Sequence, residues 1–380
     1  MEILLNNIKR CFVYQFGGSY SLYTSPGRIN LLGEHTDYNA GYVLPAAINK
    51  SMAAAIQPNN KNKVCAYSID LNDYCEFELN EKSIPQKQWA KYIFGVCMEV
   101  MKLGYEVKPF NTVFSGNIPL GAGLSSSAAL ESTYAFAIND LFNDNRIDKF
   151  DLARIGQSTE HNYCGVKCGI MDQFASIFGK SGNLIRLDCQ SMQYDYFPFN
   201  PEGYKIVLIN SMVKHELVDS AYNKRRESCE RVSKALGREK LRGVNLRQLD
   251  VIGSQLSEED YMRAQYVIEE ERRILEIGSA LIQNNISKIG SLMYQTHQGL
   301  SKLYEVSCVE LDFLNDLAKE CKVTGSRMMG GGFGGCTINL VKKEHYQSFI
   351  NTVKVKYAQK FNQIPMIIEV SISDGSRKIQ

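Results

Sequence analysis

Three glycine-bearing segments hold the side chains best suited to chemistry. In residues 25–48, SPGRINLLGEHTDYNAGYVLPAAI, the positions Arg28, Glu34, His35 and Asp37 fall within ten residues of one another. Several hydrogen-bonding side chains on one turn suit a polyhydroxylated ligand, because each hydroxyl needs its own donor or acceptor. Taken alone, the same stretch also fits a hydrophilic surface hairpin. Residues 115–131, SGNIPLGAGLSSSAALE, run from a strand-like stretch into a helical pattern. Gly121 and Gly123, on either side of Ala122 and followed by Leu124, let backbone N–H groups face a ligand. Ser125, Ser126 and Ser127 add hydroxyls, and the helix that follows directs its positive end to the same place. That combination is a phosphate cradle, or else only a Gly/Ser-rich helix start with a capping role. It is not the Walker A pattern, since no Gly-Lys-Ser/Thr follows. Residues 325–336, GSRMMGGGFGGC, carry five glycines in the six positions 330–335. So many glycines cost chain entropy on folding, which points to a close backbone approach or a sharp turn. A flexible linker is the alternative, although linkers seldom lie between Met328, Met329 and an apolar strand such as TINLV.

Regular elements must position these segments. Strand-like runs lie at 63–67, 111–114, 205–210 and 336–341, and helical periodicity is clearest at 126–142, 152–163, 222–236 and 259–284. Their alternation predicts a mixed α/β or α+β architecture. No repeat of 20–50 residues and no low-complexity tract is visible. A chain of 380 residues exceeds the usual size of one core, so two domains sharing a cleft are expected. The least structured connection is 195–203, DYFPFNPEG, which sets the boundary between domains at 1–196 and 197–380. The boundary is soft, because the late strand MIIEVSIS can return to either half.

Composition narrows the partners. With 44% hydrophobic and 22% charged residues the chain is an ordinary globular protein. Polar residues interrupt every apolar run before the roughly 18 residues a bilayer requires, and the N-terminus MEILLNNIKRCF lacks the order of a secretory signal. No membrane partner is therefore expected; a net charge of +2 is too small to suggest a nucleic-acid surface or a strongly steered partner, and a small polar substrate fits better. The 11 scattered cysteines show no zinc-like spacing and read as reduced thiols, so a cytoplasmic location is expected.

In this order the three segments resemble the three signature motifs of the GHMP kinases, the family named for galactokinase, homoserine, mevalonate and phosphomevalonate kinases. The run GRINLLGEHTDYNAGYVLPAAI is the discriminating one, being similar to the signature of the galactokinase branch. Further similarity lies in GIMDQFAS at 169–176, VDSAYNKRRESCE at 218–230 and YEVSCVELDFL at 304–314. The resemblance implies an α+β, two-domain GHMP kinase fold: a ribosomal-protein S5 domain 2-like N-terminal domain, a ferredoxin-like C-terminal domain, and the active site between them. It also implies an ATP- and Mg²⁺-dependent transfer of a γ-phosphoryl group to the anomeric hydroxyl of α-D-galactose, by an enzyme expected to be monomeric.

The resemblance assigns roles residue by residue. Asp172 matches the catalytic aspartate and Arg28 the arginine beside it. An aspartate held ionised by an arginine is a weak proton acceptor, so Asp172 either takes the proton of the sugar's 1-hydroxyl or mainly orients that hydroxyl. Glu34, His35, Thr36 and Asp37 match the sugar-gripping run, Tyr222 contributes from the second domain, and Gly169 lets backbone approach the sugar. Gly121, Ala122, Gly123, Leu124, Ser125, Ser126 and Ser127 match the phosphate loop, and Ser127 with Glu160 the hard oxygen ligands of Mg²⁺. Trp89 and Tyr92 match aromatics bordering the adenine, with Ser68 near the ribose; both aromatics also suit a core. Two rival readings are a kinase for another sugar such as N-acetylgalactosamine and a silent galactose/ATP sensor. The former departs from the His-Thr-Asp-Tyr-Asn run kept here at 35–39, and the latter lacks the Ser-Ala pair kept here as Ser127 and Ala128.

Overall fold

The computed structural model describes residues 1–119, 121–213 and 218–379, without the side chains of 218–220. The expected strands appear as Val64–Ser68, Phe110–Gly116, Tyr204–Asn210 and Cys336–Lys342. The expected helices appear as Ser126–Asn143, Lys149–Thr159, Val218–Ala235 and Glu258–Ile282. The helix Lys149–Thr159 widens into a π-helical turn, Glu160–Cys164, a local irregularity often found at functional sites.

The strands form three sheets. In the six-stranded sheet Ser21–Asn30 pairs with the long strand Pro45–Pro58 on one side and with the two-residue strand Arg377–Lys378 on the other. Phe110–Gly116, Val64–Ser68 and Asp73–Phe77 complete it. A four-stranded sheet orders Gly325–Met329, Cys336–Lys342, Tyr204–Asn210 and Met366–Val370, with Cys336 opposite Asn210. A three-stranded sheet joins Tyr42–Val43, Asn183–Asp188 and Tyr194–Pro198. The expected loop at 195–203 is therefore strand as far as Pro198. Phe197 is buried, so packing against Asn183–Asp188 outweighs the breaking tendency of its prolines. The late chain serves both halves: Met366–Val370 pairs with Tyr204–Asn210, and Arg377–Lys378 with Ser21–Asn30.

The strand Tyr204–Asn210 shows why its run is apolar throughout. Successive side chains point to opposite faces, and both faces are covered. Ile206 and Leu208 join the large core that also takes Ile29, Phe174 and Met329, whereas Val207 and Ile209 pack with Leu314, Phe349 and Val353. One continuous core thus draws on both halves of the chain and fixes the cleft between them. Among the described residues no helix is long and apolar enough to cross a membrane.

Candidate active site

The centre of the cleft is an ion pair. Arg28 lies where the register of Ser21–Asn30 against its neighbour shifts between Pro26 and Arg28, and such irregularities re-aim a side chain. Its Nε donates to Oδ1 of Asp172 at 2.8 Å and its Nη2 to Oδ2 at 3.0 Å. Asp172 stands in the first turn of the helix Met171–Phe178, and its Oδ2 also accepts from Ser125 Oγ at 2.5 Å. Burial would lower the pKa of Arg28, but the charges of Asp172 and Glu34 outweigh that penalty and hold it above its ordinary value.

The loop 121–125 is bound to this pair. Arg28 Nη1 donates to the carbonyl of Gly123 at 2.5 Å and the Arg28 backbone N–H to that of Leu124 at 3.2 Å. Gly121, Gly123 and Ser125 have φ of +71°, +68° and +58°. Ser125 occupies the cap position of the helix Ser126–Asn143 but makes no side-chain cap, since its hydroxyl goes to Asp172. The first-turn N–H groups therefore have no side-chain cap there and suit a phosphate oxygen. Ala122 and Leu124 are buried, so they hold the loop on the core. The third glycine segment lies against this loop: an atom added at Gly330 would sit 3.6 Å from the Gly123 carbonyl oxygen. Gly332 has φ +89°, and a Cβ there would meet the Val306 oxygen at 2.2 Å, so close backbone contact rather than linker flexibility explains the glycines.

The run 34–37 forms one wall. Oε1 of Glu34 accepts from Arg327 Nη2 at 3.0 Å and from the Gly330 N–H at 2.9 Å. His35, at φ +63°, sets Nε2 3.1 Å from the Gly331 oxygen and Nδ1 2.8 Å from the Tyr38 hydroxyl. Burial lowers its pKa to about 3, despite the Gly331 contact, so the ring is neutral. A carbonyl only accepts; Nε2 therefore carries the hydrogen and Nδ1 accepts from Tyr38. Thr36 is fully buried and its hydroxyl faces the Gly33 and Tyr42 oxygens at 2.9 and 2.5 Å, so it holds the turn and does not line the cavity. Burial, reinforced by Asp172, raises the Asp37 carboxyl to about 7. Gly169 packs on Asp37 so closely that a Cβ would fall 1.7 Å from Oδ2. Tyr222 closes the wall, with its ring 5.1 Å from that of His35.

A cavity of about 190 Å³ brings together Arg28, Glu34, His35, Asp37, Ser127, Glu160, Gly169, Asp172 and Tyr222, with Gly330 and Gly331. A larger cavity of about 690 Å³ lies around Arg242 and Leu275 and holds none of these groups, so size does not locate the chemistry. Behind the cavity Glu131 is fully buried, and its Oε2 accepts from Gln173 Nε2 at 3.0 Å while Oε1 has no partner among the described residues. Burial and the nearby Glu160 raise its pKa well above the carboxylate range. A carboxylate-rich corner beside the hydroxyl of Ser127 is a donor set that fits a small hard cation. Trp89, Tyr92 and Ser68 do not line the cavity. Trp89 packs 5.4 Å from Phe114 and donates Nε1–H to Asp73 at 2.9 Å, Ser68 is buried opposite Phe114, and Tyr92 is half-buried with Glu160 nearby.

Arg327 was not singled out from sequence. It is completely buried and also donates Nε–H to the Leu31 oxygen at 2.7 Å and Nη2–H to that of Asn30. The available signal was an arginine set directly before the apolar pair Met328 and Met329 in the strand Gly325–Met329, since a charge is rarely buried without partners.

Comparison with known proteins agrees with this geometry. Residues 91–180 match the GHMP kinases N terminal domain, 279–356 the GHMP kinases C terminal region, and 10–58 the galactokinase galactose-binding signature. A galactokinase of Thermosipho africanus is 42% identical over 358 residues, covering 94% of this chain and 99% of the relative. The crystal structure of Lactococcus lactis galactokinase complexed with galactose superposes with a TM-score of 0.94 at 33% identity, over 99% of this chain and 100% of the other. The Methanococcus jannaschii mevalonate kinase, at 19% identity and a TM-score of 0.68, shares the fold.

Proposed function

Because the chain belongs to the galactokinases of the GHMP kinase superfamily and is an ATP-dependent sugar kinase, we propose that Arg28 and Asp172 lie at its reacting centre. There the γ-phosphoryl group of ATP passes to the anomeric hydroxyl of α-D-galactose, giving galactose 1-phosphate and ADP. The observation that carries the assignment is the convergence of Arg28, Asp172, Ser127 and the 34–37 run on one cavity. The two domains are taken as 1–196 and 197–380, and the protein as a cytoplasmic monomer.

Phosphoryl transfer depends mostly on positioning and on stabilising negative charge. Asp172 already accepts three hydrogen bonds, two from Arg28 and one from Ser125. So engaged, its carboxylate is held in one orientation, and its main task is to orient the 1-hydroxyl while the proton leaves late. Arg28 balances charge on the transferring oxygens. The uncapped first turn of Ser126–Asn143 and the backbone of Gly121 and Gly123 receive phosphate. Glu34, neutral His35, Asp37 and Tyr222 pair with sugar hydroxyls, and a misplaced hydroxyl would leave buried partners unmatched at about 1–3 kcal/mol each. Ser127 and Glu160 are the proposed Mg²⁺ ligands; bound there, the ion would neutralise phosphate charge. Trp89 and Tyr92 are placed at the adenine side, with Ser68 toward the ribose.

The test is ADP release from ATP and Mg²⁺ with galactose, glucose, N-acetylgalactosamine, mevalonate and homoserine. Turnover with galactose above the others is expected. A preference for N-acetylgalactosamine would transfer the chain to a related sugar, and binding without turnover would make it a sensor.

A further inference from the structure

The sugar-gripping run is held from behind by residues that do not reach the cavity. On the helix Glu258–Ile282 the spacing of Tyr266, Glu270, Arg273 and Ile274 puts all four on one face. That face meets the run 33–35. Oε1 of Glu270 accepts the Gly33 N–H at 2.8 Å, and the Tyr266 hydroxyl donates to the Glu34 backbone oxygen at 3.0 Å. Gly33 has φ +99°, and a Cβ there would lie 2.9 Å from Ile274 Cδ1, so the backbone sits directly on the helix. Oε2 of Glu270 is occupied in turn by Arg273 Nε at 2.7 Å and Thr296 Oγ1 at 2.8 Å. Glu270 and Tyr266 are both fully buried. The Tyr266 ring lies 4.8 Å from that of Tyr304, which is itself 4.8 Å from the His35 ring.

We propose that Glu270 and Tyr266 are positioning residues for the sugar site, fixing the backbone of Gly33 and Glu34 so that the Glu34 and His35 side chains meet the sugar. The argument is geometric. Glu34 and His35 are adjacent, one with its oxygen on Arg327 and Gly330 and the other with its ring on Gly331, so both side chains are tied to the third glycine segment. Their backbone needs an independent reference, and the Gly33 N–H finds it in the Glu270 carboxylate. A carboxylate whose two oxygens are committed to three donors has one orientation, and it transmits that orientation to the turn. Among the described residues the bonds of Glu270 and Tyr266 go to Gly33, Glu34, Arg273 and Thr296 and not to the loop 121–127, so their loss acts first on the sugar.

The inference rests on the galactokinase reading above, and its test separates the two. Tyr266→Phe removes one hydroxyl and keeps the ring. Glu270→Gln leaves an amide that cannot accept from Gly33 and from Arg273 and Thr296 at once. Calorimetric titration with galactose, KM for each substrate and thermal melting are compared with the parent. For Tyr266→Phe the galactose Kd should rise about fivefold, with a larger rise for Glu270→Gln and KM for ATP unchanged. Should Glu270→Gln fail to fold, Tyr266→Phe decides alone. Unchanged galactose affinity in a folded Tyr266→Phe protein, or equal rises in both KM values, overturns the proposal. A parent chain that binds no galactose overturns the functional reading, and this inference with it.

Discussion

Arg28 and Asp172, 144 positions apart, meet through two parallel hydrogen bonds of 2.8 and 3.0 Å, and the same guanidinium reaches the Gly123 carbonyl at 2.5 Å. One planar side chain thus fixes the distance between the Asp172 carboxylate and the loop 121–125, a task for which a point-charge lysine lacks the geometry. Asp172→Asn should therefore cut kcat by about 10²–10⁴-fold while ATP binding persists. Arg28→Lys should cost less but still lower kcat, because charge remains and the fork is lost. Near-normal kcat for Asp172→Asn in steady-state assays would remove Asp172 from the reacting centre.

Asp37 gives a pH signature. Its carboxyl is raised to about 7 in the fold, against 3.8 for the free group. A raised acid binds more protons folded than unfolded, so its contribution is present below pH 4 and is lost as pH rises through 7. In ligand-free protein, Asp37→Asn should gain Tm relative to the parent as the buffer moves from pH 5 to pH 8. Parallel melting curves over that range would show that Asp37 does not titrate there.

Gly169→Ala should damage the sugar site alone. The added methyl would fall 1.7 Å from Asp37 Oδ2, so carboxylate or backbone must move, an overpacking cost of about 1–3 kcal/mol. KM for galactose should rise sharply with KM for ATP little changed, and equal shifts in both would count against this account.

Arg327→Met should be strongly destabilising, by about 3–5 kcal/mol, since it leaves the Glu34 carboxylate buried without its cation. Adding Glu34→Gln should recover part of the loss, a non-additivity that denaturant melts of the two single variants and the double variant would measure.

Glu160→Gln and Ser127→Ala should raise the Mg²⁺ concentration for half-maximal rate, and chelation should abolish turnover. An unchanged Mg²⁺ profile in both variants would move the metal elsewhere.

Much of this protein is set by local pattern. Strand and helix positions follow from periodicity and flanking glycines, which act over a few residues, and the three glycine segments expose their chemistry through neighbours in the chain. Arg28, Glu34, His35, Asp37 and Ser127 stand in those segments, whereas Glu160, Gly169, Asp172 and Tyr222 are named through the family resemblance, and the fold collects all nine at one cavity. What tertiary structure decided is which atoms meet. Thr36, inside the most telling motif, turns inward to hold its own turn, and Ser125 spends its hydroxyl on Asp172 instead of capping a helix. Gly169 is a glycine because Asp37 occupies the space a methyl would need. Arg327, Glu270 and Tyr266 bind the run 33–37 from more than 230 positions away. A sequence pattern reports the average surroundings of a residue, apolar or wet, helical or extended. A buried ion pair or a single hydrogen bond depends on angstrom-scale approach between distant segments, and only packing of the whole core sets that.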